Sequence, residues 1–72
     1  MSTVFKVVRL VGESPKSIED AVVVALKASS ERVRGQTWAQ ISDLRANINE
    51  NGGVDRWQLT VDVAFRVDQD EH

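Results

Sequence analysis

Trp38 is a large aromatic residue on the more polar side of its segment. Its indole offers a rigid π-face on which a planar ligand could stack, or a body to bury against a helix or a neighbouring subunit. Gln58 carries a primary amide with one acceptor and two donors. It could pair side by side with an imide-like edge, or stand in solvent as an ordinary surface glutamine. Asp43, Arg45 and Arg66 put charges into segments that are otherwise rich in apolar residues. Such charges either pair between strands or subunits, or, in the arginines, grip an anion such as phosphate. Trp57 keeps the phase of a long apolar alternation and reads as core.

Bond-making chemistry has little to work with. There is no cysteine, and the one histidine, His72, is the last residue. A serine or threonine nucleophile would lack a base. Glu50 and Asp55 flank a turn and read as solvated charges rather than a catalytic pair. No glycine-rich phosphate loop, zinc-protease helix or calcium-binding loop pattern occurs. The residues therefore point to binding rather than catalysis, with no metal site.

The elements that must position these side chains are clear in outline. Trp57, Leu59, Val61, Val63, Phe65 and Val67 alternate with Gln58, Thr60, Asp62, Ala64 and Arg66, the period of a half-buried strand. Asn51-Gly52-Gly53 predicts a tight turn before it. A second strand begins near Thr37, with Trp38, Gln40, Ser42 and Leu44 in one phase and Ala39 and Ile41 in the other. Val4 to Val11 predicts a first strand, broken by Gly12-Glu13-Ser14-Pro15. Ile18, Ala21, Val22, Ala25, Leu26, Ser29 and Val33 recur at helical spacing up to Gly35, the expected stop. Either Ser14 with Pro15 or Ser17 with Asp20 could start that helix.

A β-α-β-β order over 72 residues implies one α+β domain, with residues 68–72 as a polar tail. A helix of roughly 18 residues, about 27 Å long, covers one face of a three-stranded sheet and leaves the other open. Such a chain has no disulfide to support it, and 42% of its residues are hydrophobic. Self-association is the expected remedy. The net charge of −2 offers no basic stripe for nucleic acid, and no apolar run is long enough for a membrane helix. A cytoplasmic location is expected.

Three segments together resemble the dodecin family. They are Val4-Phe5-Lys6-Val7-Val8-Arg9-Leu10-Val11-Gly12-Glu13-Ser14, Trp38-Ala39-Gln40-Ile41-Ser42-Asp43-Leu44-Arg45, and Trp57-Gln58 running to Val63-Ala64-Phe65-Arg66-Val67. The resemblance implies a three-stranded antiparallel sheet packed on one helix and a hollow homododecamer. It implies flavin storage without turnover, with FMN or riboflavin stacked between tryptophans at subunit interfaces; FAD and coenzyme A are further candidates. By position, Trp38 would stack on the flavin and Gln58 would pair with its pyrimidine edge. Asp43 would line the pocket, and Arg45 and Arg66 would serve trimer contacts or phosphate-bearing ligands. A structural shell or coenzyme A carrier without flavin is the alternative. Ala39-Gln40 and Ala46 depart from the residues common in the family at those places.

Overall fold

The computed structural model describes residues 2–67. The order is β1 (Val4–Ser14), α1 (Ile18–Ser30), β2 (Gln36–Ile48) and β3 (Val54–Val67). All pairings are antiparallel and the spatial order is β1-β3-β2, so the C-terminal strand lies in the middle. The expected β-α-β-β subunit with one helix on a three-stranded sheet is the observed one. The polar tail and His72 lie outside the described residues.

The clean alternation of β3 follows from its central place. Leu59, Val61, Val63 and Phe65 are buried beneath the helix, where Ala21 and Ala25 meet them. Val8, Leu10, Ile18, Val22 and Leu26 complete the core at its margins. Small residues on the helix let it lie close to the sheet. Gly12 permits the closest approach: a Cβ there would collide with the Ala21 carbonyl and stand 3.0 Å from the Ala25 Cβ. Gly12 therefore does not break β1, as the sequence suggested. It continues the strand to Ser14 and marks where the helix crosses.

Ser17, not Ser14, caps the helix, its hydroxyl accepting from the Asp20 backbone N–H at 2.9 Å. Ser14 does a different job. Buried at the end of β1, it donates to the Asp20 carboxylate at 2.6 Å and so ties the strand to the first helical turn. The helix is also shorter than expected, 13 residues or about 20 Å. The backbone N–H groups of Glu31, Arg32 and Val33 all turn back to the Ser29 carbonyl, which closes the helix before Gly35. Val33 consequently leaves the apolar stripe and is exposed. Gly35, at φ 86°, instead starts the turn into β2 and accepts from the Arg66 backbone N–H at 2.9 Å.

β3, with 14 residues, runs about 46 Å. The helix covers less than half of that length and packs on β1 and β3. The helix-side face of β2 stays largely bare, leaving Ile41 and Leu44 each 49% exposed. The β2–β3 turn is held by the Asn49 side chain. The Asn49 side-chain oxygen accepts from the backbone N–H groups of Asn51 and Gly53 at 2.9 and 3.0 Å, while Gly52 takes φ 85°.

Candidate functional site

Residues directly opposed on neighbouring strands share a face of the sheet. The register therefore sorts the candidate residues. On the face away from the helix, Val7, Ala64 and Trp38 form one row. Moving along the sheet, the next rows are Arg9-Asp62-Gln40, Val11-Thr60-Asp43 and Glu13-Gln58-Arg45. Arg66, opposite Phe5, lies on the same face one row beyond Trp38. All five candidates, Trp38, Asp43, Arg45, Gln58 and Arg66, thus face one way.

A bulge achieves this. The register slips between Ile41 and Asp43, leaving Ser42 as the extra residue. Strict alternation would have put Leu44 beside Trp38 and turned Asp43 and Arg45 to the helix side. With the slip, Leu44 opposes Leu59 on the inner face, and Asp43 and Arg45 join Trp38 outside. A second slip separates Gln36 from Trp38.

The two tryptophans lie on opposite faces. Trp57 opposes Ser14 and Ala46 on the helix side, half-buried at the edge of the core rather than within it. Trp38 is 47% exposed, and Ala64 beside it is fully buried between Trp38 and Val7. A cleft of about 240 Å³ is lined by Leu26 of the helix, by Gln36, Thr37, Trp38 and Ala39 of β2, and by Val63 of β3. The Gln36 side-chain oxygen is buried there without a hydrogen-bond partner.

The polar rows are paired. Arg9 donates to Asp62 through Nε at 2.8 Å and through Nη2 at 3.3 Å. That bond pushes the Arg9 guanidinium up and holds the Asp62 carboxyl below its usual range, against the opposing effect of burial. Asp43 takes a 2.7 Å hydrogen bond from Arg45 Nη2, which likewise holds its carboxyl down. Gln58 Nε2 donates to Glu13 Oε2 at 2.9 Å, and Arg56 lies 3.3 Å from the other Glu13 oxygen. Glu13 and Arg56 were not singled out by sequence. Extending β1 through Gly12 is what would have revealed Glu13 in the phase of Arg9 and Val11.

Trp38 and Gln58 do not meet within one chain. Their rows are six residues apart along β3, from Ala64 to Gln58, or about 20 Å. No flat ligand of roughly three fused rings spans that distance.

Fold and face together define a class: a small, open α+β subunit with an aromatic and polar working surface on the uncovered side of its sheet. The chain belongs to the dodecin family, whose model matches residues 4–68. It is 33% identical over 69 residues to a protein described as dodecin from Thermus thermophilus, covering 96% of this chain and 99% of that one. A crystal structure from Thermus thermophilus superposes with a TM-score of 0.88 at 32% identity, covering 96% of this chain and all of the other. A Mycobacterium tuberculosis structure described as a calcium dodecin is 22% identical with a TM-score of 0.77, over 96% and 97% of the two chains, a likeness of fold. The family comprises small binding and storage proteins, not known enzymes, and membership implies oligomeric assembly. No described helix is long and apolar enough to cross a membrane. Among the described residues no group of three acidic or histidine side chains could hold a metal ion.

Proposed function

We propose that the chain stores flavin, FMN or riboflavin, by stacking it on Trp38 at the seams of a homododecamer. The observation that carries this reading is the exposed indole on the uncovered face, flanked by the small Ala64 rather than by core. An isoalloxazine ring is flat and apolar on its faces and hydrogen-bonding along one edge. An indole serves the face and a primary amide serves the edge.

The separation of about 20 Å between Trp38 and Gln58 within one chain supports a site shared between copies. One subunit supplies the stacking face and another the amide. Arg66, one row beyond Trp38, stands where it could meet the phosphate of FMN. Arg45 is already committed to Asp43, so its part is that of an oriented pair rather than an open anion grip.

With flavin bound, the Trp38 indole would lend an electron to the excited ring and take it back, so that the excitation would decay without emission. Storage and shielding from photochemistry then follow from one contact. Riboflavin titrated with the protein should lose its fluorescence to near completion at saturation. Emission that survives saturating protein rejects the proposal.

A further inference from the structure

We propose that Glu13 is a positioning residue: it fixes the orientation of the Gln58 amide and so selects ligands whose edge offers an N–H donor. The inference rests on the flavin-binding reading above.

The argument starts from the amide itself. A glutamine side chain can present either its oxygen or its nitrogen to a ligand, because a half-turn about its last bond exchanges them. Gln58 has lost that freedom. A carboxylate only accepts hydrogen bonds, so the atom facing Glu13 Oε2 at 2.9 Å must be the nitrogen. The half-turned alternative would set oxygen against oxygen. With Nε2 directed to β1, Oε1 lies on the other arm of the amide, as an acceptor awaiting a donor.

Glu13 is itself held. It stands opposite Gln58 across the β1–β3 ladder, near the end of the strand that Gly12 allows to continue. Its second oxygen is 3.3 Å from Arg56 Nη1. Arg56 therefore stations the carboxylate, and the carboxylate stations the amide. Arg45, on the far side of Gln58, is taken up by Asp43 and does not compete.

A fixed acceptor distinguishes ligands by their edge. The imide of an oxidised flavin carries an N–H between two carbonyls and satisfies Oε1. An analogue methylated on that nitrogen leaves Oε1 without a partner, a loss that a polar site feels strongly. If Gln58 could turn over, it would offer its NH2 group to a flanking carbonyl instead and recover part of the loss.

The test compares riboflavin with N3-methylriboflavin by fluorescence titration, on assembled protein checked by size exclusion. Wild type should prefer riboflavin. Glu13→Ala should narrow that preference three- to tenfold, chiefly by releasing the amide. Glu13→Gln, whose amide can turn either its oxygen or its nitrogen to Gln58, should narrow the preference in the same direction but by less than Glu13→Ala. If Glu13→Ala fails to assemble, Glu13→Thr, a better strand former, carries the same expectation. A preference left unchanged in the assembled variant overturns this proposal alone, provided that Trp38→Ala still abolishes tight binding. Wild type that binds neither compound overturns the flavin reading, and this proposal with it.

Discussion

The two faces of the sheet are built on different principles. The helix side is closed over β1 and β3 by small residues: Gly12, Ala21 and Ala25 bring the helix down onto Leu59, Val61, Val63 and Phe65. The other side has nothing over it among the described residues. It carries Phe5, Val7, Val11 and Trp38 exposed, interleaved with the Arg9–Asp62, Asp43–Arg45 and Glu13–Gln58 pairs. The contrast shows that stability and recognition are divided between the faces of one strand, β3, whose odd residues make the core and whose even residues make the working surface.

Substitutions on either face can break that division. The largest effect belongs to the core. Leu59→Ala should cost about 2–5 kcal/mol in denaturant unfolding, since Leu59 is 1% exposed. Val11→Ala, on the open face and 61% exposed, should cost less than about 1 kcal/mol. Equal costs would mean that assembly buries the open face as fully as the helix buries the other.

A smaller effect on stability, but a large one on binding, is expected at the tryptophans. Trp38→Ala should weaken riboflavin at least about tenfold while leaving the fold intact, as loss of a stacking and burial partner implies. Trp57→Phe should lower the melting temperature with little change in riboflavin affinity. The reverse pattern would assign the ligand to the helix side.

The smallest effect concerns acid. The Asp62 carboxyl is held below its usual range by Arg9. The stability this supplies is present above the ordinary carboxylate range near pH ~4 and is lost as pH falls through the lowered folded-state value. The melting-temperature gap between wild type and Asp62→Asn should thus be open at pH 7 and closed near pH 2. A gap that does not vary with pH would show that the pair contributes geometry rather than charge.

Much of this was legible in the residues. The alternation of β3 and the polar company of Trp38 are enough to give the sheet and its odd aromatic from the sequence alone. What stayed hidden was set by partners distant in sequence. Gly12 looks like a break because glycine commonly marks turns, yet here its missing side chain makes room for Ala21. The slip at Ser42 has no glycine or proline to announce it, so Asp43 and Arg45 fell in the wrong phase. The helix end was misjudged because the Ser29 carbonyl gathers three N–H groups ahead of Gly35. Glu13 escaped notice for the same reason that Gly12 was misread: their strand was ended too early.

The order β1-β3-β2 has a consequence for biosynthesis. Val4 pairs with Val67, so β1 can find its place in the sheet only after β3 has been made. Until then β1 and the helix share an apolar surface with no sheet to receive it. Closing so long a loop makes folding slow relative to a chain built from local contacts. During synthesis, the nascent chain should therefore stay sensitive to protease until β3 has emerged.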